Sequence, residues 1–315
     1  MDQNSGSKRK TMKQAFFEKA RYTLKQMWKY KISYVFLVPF LAIFVTFTIL
    51  PVITAVSYSF TQFNILESPI FIGFENYRNL FLKDAIFLVA IKNTLLFAAI
   101  TGPISYLTCL LLAWFVNDLM PKTRSLLTLL FYAPSLANIF FIWQLIFSGD
   151  AMGLLNAWLM KIGLIYEPIL WLTDTKRMVP VTLFIILWSS IGTSFLAFIA
   201  GFQTVDESLY EAGAVDGVKN RWQELWFITL PYMRPQLMFG AVMSITGSFG
   251  IGATITALVG YPSTNYVLHT IMNHLDDYGG LRFEMGYACA IATILFTIMV
   301  GVNKGVQKIL VKVGS

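Results

Sequence analysis

His269 and His274 are the chain's two histidines, five residues apart, with Asp276 and Asp277 close behind. Imidazole and carboxylate at such spacing are ligand types for a divalent cation. They fall between two long apolar runs, where solvated loop side chains are the simpler reading, so no metal site is assigned. Cys109 and Cys289 sit inside apolar runs without partner spacing, which supports neither a disulfide nor a thiolate centre. A G-x-x-x-x-G-K-[ST] phosphate loop is missing, so the chain does not hydrolyse ATP by that route. Ser189 and Thr193 stand one helical turn apart, and Gly240, Ser244, Ser248 and Gly252 recur every fourth residue. In lipid, ridges of small residues at this spacing serve helix packing.

The elements that hold these residues follow from composition. Of 315 residues, 56% are hydrophobic and 13% charged, with a mean hydropathy of +0.63. Soluble domains run at about 45–50% apolar and about 25% charged. The deviation excludes a disordered chain, argues against a soluble enzyme, and makes lipid the main solvent. A membrane helix needs roughly 20 apolar residues. Runs of that kind cover residues 32–60, 86–116, 126–147, 179–202, 236–260 and 285–302. The fold class expected is therefore all-α, a polytopic membrane protein with six transmembrane helices. The first run is too long for the core of a cleaved signal peptide, its basic leader is too long, and no small-x-small site comes after it.

Ionisable residues inside a membrane mark proton or ion pathways. The six interiors hold none apart from Lys92, which is close enough to the start of its span to reach outward. That weighs against a secondary transporter coupled to ions and against a voltage sensor. With the N-terminus inside, 17 of the 24 Lys and Arg fall on the inner side and 7 on the outer. This bias places both termini in the cytoplasm and accounts for the net charge of +7 without nucleic acid. Phe17, Ala20, Leu24, Met27 and Trp28 fall near helical spacing among basic residues. Residues 1–31 thus read as a basic amphipathic tail on the inner leaflet, ahead of a membrane domain at 32–305 and a short cytoplasmic tail at 306–315.

The longest polar cytoplasmic segment, residues 203–235, contains Glu211-Ala212-Gly213-Ala214-Val215-Asp216-Gly217 and then Ile228-Thr229-Leu230-Pro231. One short helix is predicted to begin near Asp206 or Ser208 and to end at Gly217, where a left-handed backbone is needed. A second is predicted from Arg221 to Leu230, with Pro231 turning the chain back toward the membrane. Small and aromatic residues on such a helix pair read equally as a docking surface and as a structured connector.

This segment resembles the EAA loop of ABC-importer permeases, E-A-A, three residues, G, nine residues, I-x-L-P. Two positions depart from it: Gly213 replaces the second Ala, and ten residues separate Gly217 from Ile228. One extra helical residue rotates the remainder of its helix by about 100°, and the turn after Gly217 is expected to absorb it. Pro39 and Pro51 before Ser59-Phe60-Thr61, then Phe71-Ile72-Gly73-Phe74-Glu75-Asn76-Tyr77 and Asn93-Thr94, are similar in order and spacing to the sugar-uptake type of permease.

The resemblance implies a type I ABC-importer transmembrane domain in the plasma (inner) membrane of a prokaryote. It implies a non-catalytic subunit without a cofactor. A second, homologous permease would complete the path, two cytoplasmic ATPase subunits would drive it, and an extracellular binding protein would deliver the sugar. Contact with the ATPase would fall to Glu211, Ala212, Gly213, Asp216 and Gly217, with Arg221 and Trp222 at the edge. Ser189, Thr193, Ser244 and Ser248 would line the sugar path, joined by Trp143, Asn138 and Trp188. Permeases for a peptide, an amino acid or a polyol phosphate are the alternative, then a secondary transporter or channel.

Overall fold

The computed structural model describes residues 21, 23, 26, 28–136 and 140–313. Most of the basic tail, including Phe17, Ala20, Leu24 and Met27, lies outside the described residues, as does Asn138. The chain comprises two compact units, Met1–Ser57 and Tyr58–Ser315. The first takes in all but the last residue of an apolar helix (α1, Lys31–Tyr58), which runs through Pro39 and Pro51 and widens to a π turn at Val45–Ile49.

The second unit opens on a short hairpin (β1, Thr61–Gln62; β2, Ile70–Phe71) and helix α2 (Glu75–Leu82). Asn76 ties the two together, because its Nδ2 donates to the carbonyls of Ser59 and Thr61, both at 2.9 Å. The Tyr77 hydroxyl meets Ser59 Oγ at 2.6 Å. The sequence signals around residues 59–61 and 71–77 are thus two halves of one fastening.

Helix α3 (Ala85–Asn117) is 33 residues long, about 50 Å at 1.5 Å per residue. Asp84 starts it by accepting from the Phe87 amide at 2.9 Å, satisfying an amide the first turn leaves free. Pro103 lies inside without interrupting it. Pro121 opens α4 (Pro121–Leu136), a position where a missing amide proton costs nothing. The chain continues through α5 (Phe140–Ile146), α6 (Leu154–Lys161), α7 (Met178–Ser189) and α8 (Thr193–Phe202). A loop carries α9 (Glu207–Val215) and α10 (Arg221–Glu224). Last come α11 (Arg234–Phe249), α12 (Gly252–Val259), α13 (Ile271–Asp276) and α14 (Met285–Val313).

Helices α1, α3 and α14 are long and apolar enough to cross a membrane as single rods. The other three expected spans are not straight. Helices α4 and α5 bend by 79°, α7 and α8 by 41°, and α11 and α12 by 44°. Taking each bent pair as one span gives six. Two of the breaks have a local cause. Gly192 takes φ −129°, ψ −134°, outside the helical region, and Gly250 ends α11 one residue before Ile251 opens the next helix. Helix α14 runs past the expected limit at 302, as far as Val313 in the stretch expected as a tail.

Helices α3, α8 and α11 pack together around Phe195, Phe198, Cys109 and Ala113. Lipid is as apolar as a core side chain, so close approach must come from small residues. A Cβ on Gly240 would strike the Phe198 ring, and one on Gly201 would meet Met233 Cε at 2.6 Å. A second cluster joins α2, the start of α3, α13 and α14 around Leu80, Phe87, Ile271 and Ile291.

Candidate functional site

The breaks at 190–192 and 250–251 face each other across a cavity of about 340 Å³. Non-helical backbone is tolerated at membrane depth where it lines a cavity. Ten of the eighteen lining residues carry hydroxyls, set among apolar side chains: Thr101 and Ser105 from α3, Ser135 from α4, Ser189, Ser190, Thr193 and Ser194 around the first break, and Ser244, Ser248 and Thr254 around the second. Among the described residues, no Asp, Glu, Lys, Arg or His lines it. The volume lies at the lower end of the roughly 300–1,000 Å³ found for small-molecule sites.

Four expected path residues, Ser189, Thr193, Ser244 and Ser248, come together in this wall. Two of them also serve packing. Ser244 Oγ lies 3.1 Å from Ser194 Oγ, and Ser248 Oγ donates to the Ser244 carbonyl at 2.6 Å. A Cβ on Gly102 would sit 3.1 Å from Ser248 Oγ. Trp143 and Trp188 are not in the wall. They meet each other at 6.3 Å between ring centroids, in an aromatic group with Phe147 and Phe184. Sequence reasoning missed Thr101, Ser105, Ser135, Ser190, Ser194 and Thr254. Glycine at 192, 250 and 252 was the available signal, since each interrupts an otherwise apolar run.

The loop between α8 and α11 has the expected helix pair. Asp206 Oδ1 caps α9 by accepting from the Ser208 amide at 2.9 Å, and the exposed carboxylate is held below its usual range by that bond. Gly217 ends the turn at φ +93° with open space around it. Glu211, Ala212, Asp216 and Gly217 are exposed. Gly213 is buried instead, and its missing Cβ leaves room for Ile228 Cδ1. It therefore packs α9 against the second helix. Tyr210 OH adds a hydrogen bond to Thr229 Oγ1 at 2.9 Å.

Asn220 Oδ1 caps α10, and the helix continues through a π turn at Leu225–Thr229. Such a turn accommodates one more residue than an α turn. The extra residue before Ile228 thus has a place inside the helix, in addition to the turn after Gly217. Arg221 pairs with Asp118, just beyond the end of α3, and the Trp222 ring lies 4.6 Å from that of Trp114. Both side chains are turned back onto α3.

At the other end of α3, the solvated-loop expectation for the histidines fails. His269 and His274 are 1% and 2% exposed. Their loop folds over the start of α3, where Asn93 Nδ2 donates to the carbonyls of Tyr266, Val267 and His269 at 3.3, 3.0 and 2.9 Å. Thr94 Oγ1 accepts from the Ile271 amide at 2.9 Å. His274 lies between Asp84 Oδ2 at 3.0 Å and His269 Nε2 at 3.1 Å. Both of its nitrogens are engaged, and no cluster suited to a metal occurs among the described residues.

The profile of the family described as "Binding-protein-dependent transport system inner membrane component" matches residues 109–307. The arabinooligosaccharides transport system permease protein AraP of Bacillus subtilis (strain 168) is 30% identical, over 86% of this chain and 85% of its own length. The probable ABC transporter permease protein YesP of the same organism is 29% identical, over 85% of this chain and 86% of its own. Among solved structures, a bacterial alginate ABC transporter in complex with an alginate pentasaccharide-bound periplasmic protein aligns with a TM-score of 0.74. It is 21% identical, covering 92% of this chain and 98% of that one. At that identity the likeness establishes the fold.

Proposed function

The chain belongs to the family of binding-protein-dependent transport system inner membrane components, and from that premise we propose that it is a permease subunit for a neutral sugar or oligosaccharide. The hydroxyl-lined cavity at the two helix breaks supports this reading above all. Hydroxyls suit a neutral polyol. A phosphorylated or acidic solute calls for Arg or Lys in the path, and the described wall has neither.

On this reading the permease catalyses no reaction itself. A second permease completes the path and an external binding protein delivers the sugar. Both termini lie in the cytoplasm, on the side of the loop at 203–235. The exposed Glu211, Ala212, Asp216 and Gly217 meet an ATPase subunit, whose closure moves the loop as a rigid body and switches access across the membrane.

Two experiments test the proposal. Co-purification from the native membrane should recover an ATPase and a second permease, and a functional homo-oligomer would exclude it. Replacing Thr193 and Ser248 together with alanine should weaken sugar uptake with little loss of protein. An unchanged uptake rate would return those hydroxyls to packing alone.

A further inference from the structure

Helix α3 joins three places that are otherwise far apart in sequence. Asp84 at one end accepts from His274 and caps the helix. Thr101 and Ser105 in the middle face the cavity. Asp118, just beyond the other end, holds Arg221 of the loop. Between Asp84 and Asp118 the backbone is one uninterrupted helix.

The loop holds this end of α3 in two ways. Trp114 and Asp118 are four residues apart, hence on one helical face. Trp222 and Arg221 are neighbours at the start of α10, the helix opened by the Asn220 cap. The indole pair supplies contact area, and the ion pair supplies a fixed register along the helix. Arg221 and Asp118 are 59% and 28% exposed in their side chains. A pair that exposed contributes little to stability, so its placement calls for another account.

We propose that Asp118 and Arg221 form a positioning pair through which movement of the loop is passed to α3, and through α3 to the hydroxyls of the cavity. This rests on the reading that the loop meets an ATPase. The loop also packs into the core through Leu225 and Met233, whose apolar side chains carry no charge pairing of their own. The ion pair is the directional link, because an Arg–carboxylate contact has preferred geometry. Without it, the ATPase would still close on α9, but α3 would move with the loop only loosely. Hydrolysis and transport would then part.

The experiment uses the complete transporter in liposomes, reading ATP hydrolysis stimulated by the loaded binding protein alongside sugar uptake. Asp118→Ala should leave hydrolysis near wild type and lower the sugar moved per ATP at least about fivefold, the small end of measured couplings between sites. Asp118→Arg should do the same, and combining it with Arg221→Asp should restore most of the ratio. An unchanged ratio in Asp118→Ala, or a double variant no better than Asp118→Arg, overturns the positioning pair. If no ATPase assembles with the wild-type chain, it is the permease reading itself that fails.

Discussion

His274 Nε2 lies 3.0 Å from Asp84 Oδ2, across 190 residues of sequence. The same oxygen meets the hydroxyls of Tyr287 at 3.1 Å and Tyr278 at 3.3 Å. One carboxylate therefore caps α3 with its first oxygen and collects α13, α14 and the turn between them with its second. Replacing it removes a helix cap, worth about 1 kcal/mol, and charge-assisted hydrogen bonds worth about 1.5–3 kcal/mol each. With the cap and three such bonds lost together, Asp84→Ala should cost about 5 kcal/mol or more, read as a lowered melting temperature in detergent. Asp84→Asn keeps the cap oxygen and should lose about half as much. Melting of both variants at the wild-type temperature would show that the carboxylate does not hold these elements.

The same cluster makes the fold sensitive to acid. Burial pushes His269 down to about 4, and the neighbouring His274 adds to the shift. His274 is lowered too, by burial first, although Asp84 and Asp277 pull the other way and Arg282 adds to the lowering. Burial would raise Asp84, but the Phe87 amide and then His274 hold it below the usual carboxylate range. A histidine with a depressed folded pKa binds fewer protons folded than unfolded. Its contribution is complete above pH 6.5 and is lost as pH falls from there toward about 4. The Asp84 contribution is lost at still lower pH, in the same direction. Melting at pH 5 should therefore lie below melting at pH 7.5, with about 2 kcal/mol at stake. His269→Gln should flatten that difference, and an equal drop in the variant would place the acid sensitivity elsewhere.

The six apolar runs were legible because lipid leaves a span few alternatives to a helix of about 20 residues. Legible too were the Asp206 start, the Gly217 end and the loop that holds them, since caps act within a few residues. The breaks were not. A hydropathy window averages over Gly192 and Gly250, and a bend of 41° or 44° changes no composition. The histidines were misread for a different reason. Their burial depends on Asp84 and Asn93, which local sequence cannot place beside them. Asp118 escaped notice because a carboxylate at a span end is ordinary until Arg221 is brought to it.

Gly213 offers a test of the departure from the E-A-A pattern. Alanine there gains helix propensity of about 1 kcal/mol over glycine. Its Cβ would lie 2.5 Å from Ile228 Cδ1, the far end of a flexible side chain. The two effects should nearly cancel, so Gly213→Ala alone should melt close to wild type. Trimming the obstructing methyl with Ile228→Val should let the double variant melt above the Ile228→Val parent. A double variant less stable than that parent would mean the α9 contact has no slack to give.

Gly240 and Gly247 separate the two roles of the α11 ridge, because they lie on one helix in different surroundings. A Cβ at Gly240 runs into the rigid Phe198 ring, whereas one at Gly247 meets nothing within 4 Å. Gly247 also lines the cavity, and Gly240 does not. Overpacking costs about 1–3 kcal/mol, so Gly240→Leu should lower the melting temperature and the yield of folded protein. Gly247→Leu should fold normally, because its side chain extends into open space, and it should block uptake by filling the cavity. ATP hydrolysis by the assembled transporter gives the needed control, since a plugged path leaves the loop at 203–235 untouched. Normal uptake by a well-folded Gly247→Leu would show that the sugar does not pass between the two helix breaks.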